Sequence, residues 1–194
     1  MRLIVGMSGA SGAIYGIRLL EILKTIPEVE THLVMTASAK LNILAESERD
    51  LESITSLADE VHNNRNVGAS IASGSFKTAG MIITPCSMKT LSGIVHSYAD
   101  NLLLRAADVA LKEHRRLVIA PRESPLHTGH CKLLHEASML GVIIAPPMPA
   151  MYNRPKTIDD IVNHSVGRLL DLFNIDSGVM KRWQGLTGNC FENT

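Results

Sequence analysis

The chain has 194 residues, 45% of them hydrophobic and 20% charged, which is enough apolar content for one domain with a core of its own. Nineteen basic residues balance nineteen acidic ones, so no net charge favours nucleic acid or an anionic membrane as a partner. No apolar run approaches the ~20 residues of a membrane-spanning helix, aromatic residues at 4% are too sparse for stacking along single strands, and Cys86, Cys131 and Cys190 are too widely spaced for a disulfide framework or a zinc motif. These features predict a soluble protein of the reducing cytoplasm.

In chain order, Met1-Arg2-Leu3-Ile4-Val5-Gly6 passes from one short apolar run into a glycine-rich stretch, which reads as a first strand and not as a signal peptide. Further apolar bursts of strand length follow at Leu33-Val34-Met35, Met81-Ile82-Ile83, Leu117-Val118-Ile119 and Val142-Ile143-Ile144. They are continuous, not alternating, as expected of strands covered on both faces of a parallel sheet. Helical patterns occupy 12–26, 37–48, 51–60, 88–114 (read as two helices), 127–140 and 157–174, the last opened by a Thr157–Asp160 capping box. This alternation predicts a doubly wound open parallel sheet, a three-layer α/β fold of flavodoxin-like or Rossmann-like type. A single domain over 1–183 and a loosely held tail over 184–194 are expected.

Such sheets bind ligands beyond the carboxyl ends of their strands. Those ends read Gly6-Met7-Ser8-Gly9-Ala10-Ser11-Gly12, Thr36-Ala37-Ser38, Thr84-Pro85-Cys86-Ser87-Met88-Lys89-Thr90, Ala120-Pro121-Arg122-Glu123 and Pro146-Pro147-Met148-Pro149. Small residues let backbone N–H groups approach an anion, and each following helix points its positive end there. Glycines 6, 9 and 12 do not form Gly-x-Gly-x-x-Gly, and the second strand ends in Thr36 where a dinucleotide site places an acid. The turn also lacks the Gly-Lys-Ser/Thr of a nucleoside-triphosphate loop. A mononucleotide remains, with FMN the first candidate; the alternative is a glycine turn that merely tightens a strand–helix corner.

The blocks Gly9-Ala10-Ser11-Gly12-Ala13, Pro85-Cys86-Ser87-Met88-Lys89-Thr90-Leu91-Ser92-Gly93-Ile94, Asp100-Asn101-Leu102, Arg105-Ala106-Ala107-Asp108-Val109-Ala110-Leu111-Lys112-Glu113 and Pro121-Arg122-Glu123-Ser124-Pro125-Leu126, with Pro147-Met148-Pro149-Ala150-Met151-Tyr152 and Arg182-Trp183, resemble the flavin prenyltransferases. This is the UbiX family, formerly described as phenolic-acid or 3-octaprenyl-4-hydroxybenzoate decarboxylases, and the match runs from about residue 2 to Trp183. The resemblance implies transfer of a dimethylallyl group from dimethylallyl phosphate to N5 and C6 of reduced FMN, without a metal. The product is prenylated FMN for a UbiD-type decarboxylase, and homo-oligomers, dodecamers in relatives, carry flavin sites at subunit junctions. It places FMN against Gly9, Ala10, Ser11, Thr36, Ser87, Met88, Lys89, Thr90 and Arg122. The prenyl phosphate falls near Arg105, Lys112, Arg122, Glu123, Tyr152 and Arg168, with Trp183 offering its face to the allyl cation and Glu46 close to Ser11. Ser11, Glu46, Lys112 and Glu123 are the expected catalytic groups. Thr36 stands where the family commonly has serine.

The residue chemistry suits a departing phosphate, which needs fixed cations. Arg105 and Lys112 are seven apart on one helical face, which reads either as a phosphate clamp or as a solvated basic stripe. Arg122-Glu123 follows a buried strand and reads as a site pair or a structural ion pair. Glu46 reads as an exposed helix end, and a proton-handling role beside Ser11 requires partial burial that raises its pKa. Ser11 is open between the FMN phosphate and N5. Tyr152, Arg168 and Trp183 have structural alternatives as interface, helix-surface and anchoring residues. Cys86 reads as a packed thiol, and His127 with His130 do not make a metal site.

Two other flavin chemistries compete. A phosphopantothenoylcysteine-type decarboxylase carries Pro-x-Ser-Ala-Asn-Thr, whereas Pro85-Cys86-Ser87-Met88-Lys89-Thr90 has Lys89 in place of Asn, and Ile71-Ala72-Ser73-Gly74-Ser75-Phe76 lacks the histidine that type uses. Direct aromatic-acid decarboxylation would rely on ordinary FMN, a poor electron sink. A non-catalytic FMN-delivery subunit would leave Arg105, Lys112 and Glu123 without a task.

Overall fold

A computed structural model describes residues 1–185. Six parallel strands, β1 (Arg2–Met7), β2 (Glu30–Met35), β3 (Glu60–His62), β4 (Gly80–Cys86), β5 (Arg116–Pro121) and β6 (Ile143–Ile144), form one sheet in the order β3-β2-β1-β4-β5-β6. The helices are α1 (Ala13–Lys24), α2 (Ala37–Glu46), α3 (Leu51–Thr55), α4 (Met88–Val95), α5 (Leu102–Lys112), α6 (Thr128–Met139) and α7 (Ile158–Asp171). The strand order reverses between β1 and β4, the switch point at which doubly wound sheets open a crevice for ligands.

The apolar bursts become strands because both faces are covered. Leu3, Val5, Met7 and Leu33 pack with Ile17, Leu20, Val166 and Leu170 under α1 and α7. Ile4, Val34, Met81 and Ile83 pack with Leu91, Leu103 and Ala107 under α4 and α5 on the other face. One glycine sets the spacing of the first layer. A Cβ on Gly16 would lie 2.6 Å from the Thr84 carbonyl oxygen, so α1 sits against β4 at a distance no other residue permits.

One sequence expectation needs adjustment, and others hold. The expected 51–60 helix is only Leu51–Thr55, capped by Asp50, whose carboxylate accepts from the Ser53 amide at 2.6 Å. Its supposed end is β3, which Glu60-Val61-His62 does not announce because three residues carry no readable period. The 88–114 segment is two helices, separated by Ser97 in left-handed backbone and restarted by the Asn101 cap. The Thr157–Asp160 capping box is present, with Asp160 Oδ2 accepting from the Thr157 amide at 2.9 Å. Most of the expected loose tail, from residue 186 and including Cys190, lies outside the described residues.

Candidate active site at the carboxyl edge of the sheet

Three helices begin at the switch point, and their first amides have no partner within the helix. Ser and Thr side chains cap two of them. Thr36 Oγ1 accepts from the Ala39 amide at 3.1 Å, and Ser87 Oγ accepts from the Thr90 amide at 3.2 Å while donating to Thr90 Oγ1 at 3.1 Å. The caps leave the first-turn amides of Ala37, Ser38, Met88 and Lys89 pointing out of the sheet edge.

Ser8 ties the β1 and β4 ends together. It is buried, its hydroxyl donates to the Pro85 carbonyl at 3.2 Å, and it accepts from the Ser87 amide at 2.8 Å. Gly9 brings the first turn onto the start of α2, because a Cβ there would lie 2.3 Å from Ser38 Cβ. The result is a cradle of small residues between α2 and α4, open to an anion.

The third helix start, that of α1, is already filled. Glu46, the last residue of α2, turns its carboxylate onto the glycine turn, where Oε2 accepts from Gly12 N at 2.8 Å and Ala13 N at 2.9 Å. Burial works to raise the Glu46 pKa, but these two amides, the neighbouring Ser11 hydroxyl and the charge of Arg122 outweigh it and hold the group below its ordinary value. The expected upward shift is therefore reversed. A carboxylate on the positive end of a helix is stabilised in its charged form.

The Glu46 position also decides how the cradle is used. A phosphate cannot share the Gly12 and Ala13 amides with a carboxylate, which leaves the α2 and α4 starts as the open helix ends of the cradle. Ser11 then stands on the Glu46 side of the cradle. FMN suits this arrangement, since an anion can meet the first-turn amides of Ala37, Ser38, Met88 and Lys89, while the Thr36 and Ser87 amides are already taken by the Met7 carbonyl and Ser8 Oγ.

Arg122 and Glu123 leave the end of β5 exposed, and the Arg122 amide is held by the Cys86 carbonyl at 3.1 Å. They do not pair with each other; Glu123 Oε1 instead accepts from the Ser124 amide at 3.2 Å. Arg122 is close enough to lower the proton affinity of Glu46. Tyr15, which the sequence reading passed over, also feels that charge, although burial dominates and raises its phenol pKa. Its place one turn after Gly12 was the available signal. Cys86 is fully buried, and burial pushes its thiol up to about 12, which fits a packed thiol.

The remaining expected residues lie elsewhere within the chain. Arg105 is held by Asp108, one turn along α5, at 2.6 Å and by the Ala72 carbonyl, from the segment before β4, at 3.2 Å. Lys112 pairs with Glu113 at the far end of the same helix, just before β5 begins. Lys112 and Arg122 therefore bracket β5, whose six residues rise roughly 20 Å at about 3.3 Å each. Seven-residue spacing correctly predicts a shared face but not the edge of the sheet that each residue reaches.

Tyr152, Arg168 and Trp183 gather on the α7 flank. Tyr152 Oη is 2.9 Å from His164 Nε2, and its ring meets Trp183 edge-on at 5.4 Å. Arg168 pairs with Asp171 at 2.9 Å and, with His164, lines a small cleft closed by Pro146, Pro147 and Met148. His164 was missed because only the fold brings it to Tyr152.

This fold and its anion cradle define a mononucleotide-binding flavoprotein, and residues 1–170 match the family model described as Flavoprotein. Across 186 residues the chain is 54% identical to the flavin prenyltransferase UbiX of Escherichia coli (strain K12), covering 95% of this chain and 98% of the relative. Two solved structures superimpose closely. One is a dodecameric FMN-dependent UbiX-like decarboxylase from Escherichia coli O157:H7, 53% identical with a TM-score of 0.94 over 95% of this chain and 100% of the other. The second is AnUbiX in complex with FMN and dimethylallyl pyrophosphate, 45% identical with a TM-score of 0.93 over 95% of this chain and 98% of the other. The chain belongs to the UbiX flavin prenyltransferase family.

Proposed function

We infer that the protein is a flavin prenyltransferase, which joins the dimethylallyl group of dimethylallyl phosphate to reduced FMN and supplies prenylated FMN to a UbiD-type decarboxylase. The observation that carries this reading is the division of labour at the switch point. The α2 and α4 starts are free for a flavin phosphate, while Glu46 seals α1 and stands with Ser11 at the reacting side. Bound reduced FMN supplies the nucleophilic N5 and C6 to which the prenyl group is joined. Thr36, Ser87, Met88, Lys89 and Thr90 would hold the flavin phosphate through amides and hydroxyls, with Gly9 and Ala10 keeping the backbone close. Arg122 would orient the flavin and balance negative charge. Glu46, ionised at neutral pH by its helix-end contacts, is poised to accept a proton through Ser11.

The departing phosphate needs fixed cations that reorganise little during the reaction. Arg105, Lys112, Arg122 and Arg168 supply them, with Glu123 and Tyr152 as hydrogen-bonding partners and Trp183 facing the allyl group. Because Lys112 lies at the opposite end of β5 from Arg122, this set closes only when another copy of the chain brings its Lys112 alongside. The working form in this reading is a homo-oligomer of single-domain chains spanning residues 1–183.

Among the described residues no helix is long and apolar enough to cross a membrane. We place the protein in the cytoplasm, where the free thiols of Cys86 and Cys131 would stay reduced. The test is to incubate the protein anaerobically with reduced FMN and dimethylallyl phosphate and to weigh the extracted flavin. A mass gain of one prenyl unit is expected. Unchanged mass, with FMN bound and reduced, refutes the assignment and returns the decarboxylase or delivery readings.

A further inference from the structure

The histidines show no metal-ligand spacing in sequence, yet the sheet assembles two of them with a carboxylate. In the parallel β2–β3 ladder His32 stands opposite Glu60 and Val34 opposite His62. The two-residue period of a strand places Glu60 and His62 on one face, and the register puts His32 beside them. His32 Nδ1 is 3.0 Å from His62 Nε2 and 3.4 Å from Glu60 Oε2, and one ligand atom from each of the three lies within 4.8 Å of the others. Zinc bonds of about 2.0–2.1 Å in a tetrahedron hold ligand atoms roughly 3.3 Å apart, so small side-chain rotations suffice.

We propose that His32, His62 and Glu60 form a binding site for a zinc-type divalent cation, which clips the short edge strand β3 onto β2. Two imidazoles and one carboxylate make a donor set suited to such a cation, leaving a fourth position for water. His32 also has the outer partner that metal-bound histidines usually have. Its Nε2 is 3.1 Å from Glu30 Oε1, and a proton held there leaves the Nδ1 lone pair facing inward. Glu30 is itself fixed by Arg2 at 2.9 Å.

The two imidazoles are enclosed by the fold. His32 is fully buried and His62 nearly so, with the Phe76 ring edge-on to His32 at 5.2 Å. Glu60 is exposed and gives an ion its way in. The cluster is carried on β2 and β3, and the prenyl-transfer residues make no use of it. The competing arrangement is a histidine pair sharing one proton, which leaves His62 Nδ1 3.6 Å from Glu60.

The test titrates metal-free full-length protein with Zn²⁺ by calorimetry and follows thermal unfolding, with Co²⁺ as a spectroscopic probe. One ion per chain is expected, with a rise in melting temperature and a tetrahedral Co²⁺ spectrum. His62→Ala and Glu60→Gln should each weaken binding by about tenfold or more, and Glu30→Gln by about 10–100-fold through His32 alone. His130→Ala, at the tilted His127–His130 ring pair, should leave binding unchanged. Should His62→Ala fail to fold, the exposed Glu60→Gln carries the comparison. No stoichiometric binding, equal binding in Glu60→Gln, or loss in His130→Ala would overturn the proposal in favour of the shared proton.

Discussion

Glu46 gives the sharpest test of the site geometry. Its carboxylate accepts two backbone amides at 2.8 and 2.9 Å on the positive end of α1. A helix-start acceptor is worth about 1 kcal/mol, and a charge at the helix end adds roughly 0.3–1 kcal/mol where partly exposed. Glu46→Ala should therefore destabilise the FMN-free protein by about 1–2 kcal/mol. At about 2–4 °C per kcal/mol for a chain of this size, the melting temperature falls by roughly 2–8 °C. Glu46→Gln keeps an acceptor but loses the charge, so it should fall between Ala and wild type.

The pH dependence has a fixed sign. The folded pKa of Glu46 is depressed, so its stabilisation is present above the unfolded value and is lost as pH falls through the folded one. Scanning calorimetry at neutral pH and below about pH 4 should show the Glu46→Gln deficit shrinking in acid. A deficit that is absent at neutral pH, or grows on acidification, refutes the capping geometry. In the prenylation assay both variants should lose product while still binding FMN, because the flavin phosphate is assigned to α2 and α4.

Three further outcomes follow from other parts of the fold. Gly16→Ala should cost about 1–3 kcal/mol in denaturant unfolding, since Met7 can yield but the Thr84 backbone cannot. Cys131, which is exposed, should react with a thiol reagent near pH 8 in the native protein, whereas Cys86 should label only on unfolding, as peptide mapping by mass would show. Lys112→Ala and Arg122→Ala should each inactivate their own assemblies, yet mixed assemblies should regain prenylation at junctions that pair intact residues. No recovery in verified mixed assemblies would mean that Lys112 does not serve a neighbour's site.

The parts of this molecule that were legible in the sequence are the local ones. Leu3-Ile4-Val5 and Met81-Ile82-Ile83 announce buried strands because both faces need apolar residues, and Thr157 announces a helix start because a cap and its amide lie within three residues. Glu46 looked like a solvated helix end, since nothing local reveals that α2 is just long enough to return its last carboxylate to the first turn. His164, and the union of His32 with His62, are likewise products of tertiary pairing. Lys112 shows the limit of periodicity, which fixes direction around a helix axis but not position along the sheet.

The span of β5 has a consequence for how the protein is controlled. If one catalytic set needs residues from both ends of that strand, a lone chain is chemically incomplete however well it folds. Specific activity should then depend on total protein concentration and collapse on dilution below the assembly threshold, with no change in secondary structure. Supply of modified flavin would follow the number of complete assemblies and not the number of chains, so a modest fall in expression would silence it disproportionately.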